Sequence, residues 1–382
     1  MTPSPRVELT ALTSLRGIAA VLVMFHHFMN VVLKDLMAAV PGLLILKSYL
    51  WVDLFFILSG FVLAYVYQAS FQNGFSGPVY RRFMQARFAR IYPLHLFMLA
   101  LFVGYECLQW WLNAIGADGM RALEPPFTNG QSAPTLITNL LLVQTLHWRA
   151  YWNEPAWSIS AEWIIYFTLP FVIFLLLRLR THWLAGIAAV AVLPLVAIEW
   201  RFGDLGLYYA GWPMLVRCFC GATLGILVFR CYHQGLFRPM ASARLTTPVL
   251  VLNLVILSIP GPGVLSVLGF AWLTLCAARL PQHQPHVLNA RLVLYLGKIS
   301  YSLYLVHWLV VDIVRDGSLF ATGLPPHEAF SPFVQLCLLV MMVAVVIAMS
   351  DLTYRYVEAP MRARFKPAGL TRPPRGSKVE LK

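Results

Sequence analysis

About ten apolar segments in this chain are long enough to cross a lipid bilayer, and a few ionisable residues lie inside them. Backbone polar groups find no water in a bilayer core, so a spanning segment of about 20 residues forms a helix. The predicted spans cover approximately residues 17–33, 50–68, 92–112, 159–177, 183–199, 213–229, 247–260, 262–278, 294–312 and 333–352. We therefore predict an all-α integral membrane protein, a bundle of about ten transmembrane helices.

The composition supports this class and excludes a soluble one. Hydrophobic residues make up 59% of the 382 positions and charged residues only 12%, whereas soluble domains carry roughly 25% charged residues. The six cysteines lie in or beside apolar runs and have neither metal-ligand nor disulfide spacing. We interpret them as small buried hydrophobic side chains, and we predict no metal site.

The basic residues are distributed unequally between the two faces of a ten-span bundle. Most of the 29 Lys and Arg residues fall at the termini and in alternate connections, and most of the 16 acidic residues fall on the opposite face. The positive-inside rule then makes the basic face and both termini cytoplasmic. A net charge of +13 distributed in this way indicates contact with the lipid bilayer and not with nucleic acid. We expect one membrane domain over residues 1–361 and a basic, disordered cytoplasmic tail over residues 362–382.

The first span, LTSLRGIAAVLVMFHHF, carries a cation near one end and a histidine pair near the other. Arg16 and His27 are eleven residues apart, which places them on one helix face about 16 Å from each other. Arg16 alone is equally consistent with an interfacial anchor, and a lone membrane histidine with an interhelical hydrogen bond. The pair of His26 and His27 beside the arginine face favours a functional site.

Two carboxylates begin predicted spans on the outer side of the membrane. Asp53 lies in WVDLFFILSGFVLAY, and Glu162 lies in WSISAEWIIYF. Each is a candidate acid, base or orienting partner for an outer histidine. For Asp53, a favourable interaction with the helix dipole is the structural alternative. Ser160 is as consistent with helix capping as with substrate binding.

The ninth predicted span, LGKISYSLYLVHW, carries a polar stripe along its length. Lys298 lies at the inner mouth, and Tyr304 and His307 share one face further along the helix. In the sixth span, Arg217 adds a cation that can pair with an outer carboxylate. We assign Arg217, Ser160 and Tyr304 to substrate binding.

The candidate residues sort into two layers. The inner layer is cationic and contains Arg16, Arg87, Arg90 and Lys298. The outer layer mixes acids and bases and contains His26, His27, Asp53, Glu162, Arg217 and His307. This arrangement suits a protein that binds a polyanion at the cytoplasmic face and moves protons near the outer face. Coenzyme A is such a polyanion, and its pantetheine arm is long enough to pass a thioester partway through a membrane.

Five motifs occur in the order SLRGIAAVLVMFHH, WVDLFFILSGFVLAY, ARFARIYPLH, WSISAEWIIYF and LGKISYSLYLVHW. Together they resemble the acyltransferase 3 family of membrane acyltransferases. The resemblance implies a ten-span bundle in the bacterial inner membrane that transfers acyl groups, usually acetyl from acetyl-CoA, to hydroxyls of extracytoplasmic glycans. It also implies the family's Arg-x10-His pair at Arg16 and His27, and its Arg-x-x-Arg motif at Arg87 and Arg90. Many members carry a C-terminal SGNH hydrolase-like domain, and we expect this chain to be a stand-alone form.

We therefore expect a membrane O-acyltransferase that uses acetyl-CoA or another acyl-CoA as its donor. Arg87 and Arg90 would bind the phosphates of coenzyme A, because guanidinium groups match phosphate oxygens in geometry and charge. Arg16 and Lys298 would assist them. The acceptor would be a hydroxyl of an extracytoplasmic polysaccharide or glycoconjugate.

His27 is the expected general base, because a hydroxyl is a poor nucleophile at neutral pH. Asp53 or Glu162 would hold its tautomer, and His26 and His307 are further candidates for catalysis. The alternative function is a secondary transporter or proton-coupled channel, in which the same side chains relay protons. The lack of an internal repeat counts against a transporter. A third possibility is a scaffold that binds lipid or glycan without catalysis.

Overall fold

The computed structural model describes residues 9–72, 74–146, 152–203 and 211–365, and within these ranges the chain is helical without β-strands. The helices are α1 (Thr10–His27), α2 (Lys34–Ala39), α3 (Trp51–Gln72), α4 (Gly77–Ala114), α5 (Ala133–Leu140), α6 (Trp157–Tyr166), α7 (Leu169–Arg178), α8 (Leu184–Phe202), α9 (Trp212–His233), α10 (Thr246–Ser258), α11 (Gly263–Ala278), α12 (Arg291–Lys298), α13 (Ser300–Thr322), α14 (Pro326–Ala329), α15 (Pro332–Thr353) and α16 (Ala359–Arg364). Two π-helical turns, Phe28–Val32 and Tyr354–Glu358, follow α1 and α15.

Six unbroken helical stretches among the described residues are long and apolar enough to cross a membrane. They are Thr10–Val32, Leu46–Phe71, Gly77–Ala114, Thr181–Phe202, Trp212–His233 and Pro332–Arg364. Two bent helix pairs, α6 with α7 and α12 with α13, raise the number to eight if each pair forms one span. The helices α10 and α11 are shorter, and they lie at the positions of the seventh and eighth predicted spans. The described residues thus form an all-helical, multi-pass membrane bundle.

The fourth and ninth predicted spans are bent, whereas the sequence suggested continuous helices. The helices α6 and α7 meet at 61°, and α12 and α13 meet at 70°. At the first bend, Pro170 lies in the first turn of α7, where its ring and its missing N–H prevent the preceding helix from continuing straight. At the second bend, the Ser300 hydroxyl donates a hydrogen bond of 2.9 Å to the Gly297 carbonyl. Both bent pairs supply buried polar side chains to the bundle interior.

The sequence suggested that the third span begins near Pro93, but its helix begins earlier, at Gly77. The helix α4 runs without interruption for 38 residues and contains Pro93 in its interior. The proline removes one backbone hydrogen bond, and the turns on both sides retain theirs. The basic stretch before Pro93 lies outside the predicted span 92–112, and it forms the first part of α4. Arg87 and Arg90 therefore belong to the same helix as the span itself.

Close backbone contacts hold α1 and α3 against their neighbours. A Cβ atom on Gly17 would lie 2.5 Å from the Gly297 nitrogen, so the backbones of α1 and α12 touch. A Cβ atom on Gly60 would overlap the Ala222 carbonyl of α9. Small residues permit such an approach between membrane helices. We call the end of the bundle where α1 begins the proximal end, and the end where α1 finishes the distal end.

The described parts of the segment between α4 and α6, residues 115–146 and 152–156, pack over the distal end of the bundle. The Asn153 side-chain amide donates to the Leu305 carbonyl at 3.0 Å. Gly119 lies directly against Phe320 at the end of α13. The short apolar run at 135–146, which was predicted not to span, contributes the eight-residue helix α5. Helix α5 is too short to cross a membrane.

The C-terminal part of the described chain returns to α4. The π-helical turn Tyr354–Glu358 leads from α15 into α16, and α16 packs against α4. Residues 362–364 of the predicted tail belong to α16. The rest of that prediction, residues 366–382, lies outside the described residues.

Candidate active site

Two histidines from different helices pair in the bundle interior. His27 ends α1, and His307 lies in the first half of α13. The distance between His27 Nδ1 and His307 Nε2 is 2.9 Å, and the two rings stack with centroids 5.1 Å apart. His307 is fully buried, whereas His27 retains 9% exposure. The structure thus brings two residues of the predicted outer layer into direct contact.

The hydrogen bonds of this pair decide which nitrogen is free to act as a base. His307 Nδ1 lies 3.1 Å from the Leu303 carbonyl, which can only accept, so this nitrogen carries a proton. A neutral His307 then has its lone pair on Nε2 and accepts a hydrogen bond from His27 Nδ1–H. His27 therefore keeps its own lone pair on Nε2, where it can remove a proton. The partner that fixes this tautomer is His307, whereas the sequence suggested Asp53 or Glu162.

His26 has different neighbours from His27. His26 Nδ1 lies 3.0 Å from the Ile45 carbonyl, and the ring packs edge-on against Tyr49. The Trp308 ring packs edge-on against His27, with centroids 5.0 Å apart. Of the two adjacent histidines, His27 is therefore the one that contacts α13.

Asp53 is held by an arginine and not by a histidine. Arg217 binds it through two hydrogen bonds of 2.7 and 3.3 Å, one to each carboxylate oxygen, and both side chains are 1% exposed. The Arg217 guanidinium also lies 5.6 Å from the Trp157 ring centroid. The prediction that Arg217 pairs with an outer carboxylate is confirmed. The expected role of Asp53 as partner of His27 is corrected, because both of its oxygens bind Arg217.

Glu162 lies with the arginines and not with the histidines. Its carboxylate accepts a hydrogen bond of 2.9 Å from the Tyr166 hydroxyl, which is also 3.2 Å from Ser59 Oγ. Glu162 is within electrostatic range of Arg87 and Arg90. Its expected pairing with an outer histidine is therefore corrected. The physical reason is the i,i+4 contact with Tyr166, which directs the carboxylate toward α3 and α4.

Four arginines converge toward the proximal end and form what we call the arginine cluster: Arg16, Arg87, Arg90 and Arg362. Arg16 is within electrostatic range of Arg90 and Arg362, and Arg362 is within range of Arg87. Arg90 lies 3.9 Å from the carboxylate of Glu358, and the Arg87 Nε is buried without a hydrogen-bond partner among the described residues. Like charges gathered close together repel one another, so the cluster favours an anionic ligand.

Sequence reasoning missed both Glu358, which it left in the membrane domain without a role, and Arg362, which it assigned to the tail. The available signal was their i,i+4 spacing at the end of a long apolar helix, which places them on one face. Glu358 is only 3% exposed and accepts a hydrogen bond of 2.9 Å from Ser302. Lys298, by contrast, was expected in the inner layer and is exposed at the end of α12. No described contact joins Lys298 to the arginine cluster.

Tyr304 and Ser160 both fasten the distal segment to the bundle. The Tyr304 hydroxyl donates to the Pro155 carbonyl at 3.0 Å and lies 2.8 Å from Ser158 Oγ. Ser160 is completely buried and donates to the Leu142 carbonyl at 2.9 Å. These bonds favour the structural interpretation of Ser160. The assignment of Tyr304 and Ser160 to substrate binding stays a prediction.

Tyr304 lies beside the histidine pair. Its ring packs edge-on against His307, with centroids 6.0 Å apart.

These features define a multi-pass membrane protein with a buried histidine pair at one depth and an arginine cluster at another. The family model for the acyltransferase domain of the acyltransferase 3 type matches residues 9–351. The chain therefore belongs to the acyltransferase 3 family.

Individual relatives are similar over different lengths. The chain is 35% identical to protein 2 of the picA locus of Rhizobium radiobacter over 171 residues, which cover 43% of this chain and 82% of that protein. It is 28% identical to acyltransferase MdmB of Streptomyces mycarofaciens over 337 residues, which cover 81% and 80% of the two chains. It is 30% identical to BcsY of Komagataeibacter xylinus, provisionally named a membrane-bound transacylase, over 321 residues, which cover 80% and 73%. No solved structure matches this chain significantly.

Proposed function

We propose that this membrane acyltransferase transfers an acetyl group from acetyl-CoA to a hydroxyl of an extracytoplasmic glycan. The observation that carries the proposal is the pair of His27 and His307, separated by 2.9 Å. This hydrogen bond leaves the lone pair of His27 on Nε2, and a hydroxyl acceptor needs such a base. Membership of an acyltransferase family supplies the reaction class.

The arginine cluster supplies the donor site in this proposal. The guanidinium groups of Arg16, Arg87, Arg90 and Arg362 suit the phosphate groups of coenzyme A, which would neutralise their mutual repulsion. Arg16 and His27 lie on one face of α1, about 16 Å apart. A pantetheine arm bound along this face carries the thioester from the cluster toward the histidine pair.

The proposed reaction is direct acyl transfer. His27 Nε2 removes the proton of the acceptor hydroxyl while the hydroxyl oxygen attacks the thioester carbonyl. The tetrahedral intermediate then collapses, the carbon–sulfur bond breaks, and the thiolate leaves and takes the proton from His27. Ester and free coenzyme A are the products. His307 accepts the hydrogen bond of His27 Nδ1–H throughout, and so stabilises the imidazolium that forms between the two proton transfers.

The proposed orientation places the proximal end in the cytoplasm of a bacterial cell, with the protein in the inner membrane. It counts α10 and α11 as spans, which gives ten spans and two cytoplasmic termini. Reporter fusions after residue 75 and at the C-terminus should then read cytoplasmic, and a fusion near residue 125 should read external. An external C-terminus would contradict the ten-span arrangement.

Transfer of labelled acetyl from acetyl-CoA to membrane glycans tests the proposed function. Purified protein in proteoliposomes should place label in the glycan and release coenzyme A in equal amounts. A transporter or proton-coupled channel, the alternative function, would instead carry solute or protons without forming an ester. A scaffold would bind glycan or lipid and do neither. Absence of labelled ester with every acyl-CoA tested, in a protein that binds acetyl-CoA, would contradict the proposal.

A further inference from the structure

A cavity of about 430 Å³ lies on the distal side of the histidine pair, between α4, α13 and the segment that follows α4. The polar side chains of its wall include Tyr105, Glu106, Gln109, Glu124, Asp312 and Asp316. None of these residues belongs to the arginine cluster or to the histidine pair. The cavity is therefore a separate polar site in the same bundle.

The cavity begins close to the proposed base. Asp312 lines it and lies four residues after Trp308 in α13, so the two side chains share a helix face one turn apart. The Trp308 ring contacts the ring of His27 with centroids 5.0 Å apart. The Trp308 ring thus contacts His27 and lies one helical turn from the cavity wall at Asp312. The arginine cluster is on the other side of the histidine pair.

The hydrogen-bond donors of the cavity wall are engaged within the wall. Arg315 binds Asp312 at 3.0 Å and Asp316 at 2.8 Å. The Tyr105 hydroxyl and the Gln109 amide nitrogen both donate to the second oxygen of Asp316, each at 3.2 Å. These bonds engage the donors of Arg315, Tyr105 and Gln109 within the wall.

Two hydrogen-bond acceptors of the wall, in Glu106 and Gln109, lack a donor among the described residues. Glu106 is 9% exposed, and one of its oxygens accepts a hydrogen bond of 2.9 Å from the Phe127 backbone N–H. No described residue donates to its other oxygen. Gln109 is 8% exposed, and no described residue donates to its carbonyl oxygen. Because both side chains line the cavity, these oxygens can accept hydrogen bonds from a ligand that brings several donors.

The charged groups of the wall also restrict the charge of a ligand that can bind there. Four carboxylates, those of Glu106, Glu124, Asp312 and Asp316, line the cavity together with one arginine, Arg315. Arg315 is already paired with Asp312 and Asp316, so an anionic ligand would find no unpaired cation among the described residues of the wall, whereas a protonated amine could donate to a carboxyl oxygen.

We propose that this cavity binds the acceptor, and that the acceptor is a saccharide unit without carboxylate or phosphate groups. Sugar hydroxyls provide the donors that Glu106 and Gln109 need. A protonated amino sugar binds more tightly than a neutral one, because it adds charge to those hydrogen bonds. The identification as acceptor rests on the proposed function, whereas the preference for donor-rich, non-anionic sugars is a property of the cavity that binding alone can measure.

Three oligosaccharide probes of similar size test this selectivity on the purified full chain in nanodiscs. They are a chitosan oligosaccharide, which carries protonated amines, a neutral gluco-oligosaccharide, and an oligogalacturonate, which carries carboxylates. We expect affinity to decrease in that order. Glu106→Gln should weaken binding of the chitosan probe roughly tenfold or more, because a charge-assisted hydrogen bond is lost, and the neutral probe less. Unchanged acetyl-CoA affinity in the variant shows that it is folded.

Asp118→Asn is the matched control, since it removes a carboxylate of the same distal segment whose side chain is 90% exposed and lies outside the cavity wall. It should bind all three probes as the unaltered protein does. The inference is overturned if oligogalacturonate binds as tightly as the chitosan probe, if no probe binds, or if Glu106→Gln and Asp118→Asn behave alike. The expected order of binding without acetyl transfer to any probe would support the cavity and contradict the proposed function.

Discussion

Replacing His307 with leucine tests the tautomer of the proposed base. The change removes the acceptor 2.9 Å from His27 Nδ1 and leaves that N–H in a buried site without a partner. A buried donor left unsatisfied costs about 1–3 kcal/mol. The tautomer with its lone pair on Nε2 loses that amount relative to alternatives in which Nδ1 carries no proton. Because each 1.4 kcal/mol is a factor of ten, transfer should fall by roughly 5- to 150-fold.

The matched variant is His307→Gln, whose side-chain carbonyl can accept the same hydrogen bond. It should retain more transfer activity than His307→Leu. The assay is the initial rate of labelled acetyl transfer at saturating acetyl-CoA, with acetyl-CoA affinity measured on the same preparations. A merely structural role of His307 would lower donor binding and rate together in both variants. A His307→Leu protein that transfers acetyl at the wild-type rate would refute the assignment of the base.

Two further sets of variants address the buried ion pair and the arginine cluster. Asp53→Asn or Arg217→Gln alone should lower the free energy of unfolding by about 3–5 kcal/mol, since each disrupts a buried pair, whereas Asp53→Leu combined with Arg217→Met should recover much of that stability. A thermal unfolding series in detergent measures these differences. A double variant that is no more stable than the single variants would contradict the prediction. Arg362→Gln should weaken acetyl-CoA binding roughly tenfold, since one charge-assisted contact is lost. Arg364→Gln, in the same helix and with the same loss of charge, should leave affinity unchanged, and equal effects would exclude Arg362 from the donor site.

The class of the fold could be predicted from the sequence because it depends on local properties. A run of apolar residues must be helical in a bilayer wherever its neighbours lie. The bends between α6 and α7 and between α12 and α13 could not be predicted with the same certainty. Pro93 shows why: the same residue type that ends one helix is accommodated inside another, depending on what packs around it.

The sequence predicted the ion pair between Arg217 and an outer carboxylate, but it did not predict the partners of His27 and Glu162. The spacing of Arg16 and His27 along one helix follows from helical geometry alone. The partner of His27 depends on which helices are adjacent, and a sequence does not state this. Asp53 lies at an expected depth, yet its neighbour across the helix interface is Arg217.

The positions of Glu162 and Arg362 also depend on contacts that the sequence does not state. Glu162 was placed with the histidines by its position in the sequence, and its rotation about α6 directs it toward Tyr166 and the arginines instead. Arg362 reaches the cluster only because the π-helical turn Tyr354–Glu358 returns the chain to α4. Neither effect is visible in hydrophobic periodicity.

Transfer across the membrane in oriented proteoliposomes tests the central claim most directly. Labelled acetyl-CoA is supplied only at the proximal side and the glycan only at the distal side, to the unaltered protein and to His27→Ala. The unaltered protein should place label in the glycan, and His27→Ala should bind acetyl-CoA normally while its transfer falls roughly 10²–10⁴-fold. A folded His27→Ala protein that labels the glycan at the wild-type rate would contradict the assignment of the base, and an unaltered protein that uses only distal acetyl-CoA would contradict the assignment of the donor site.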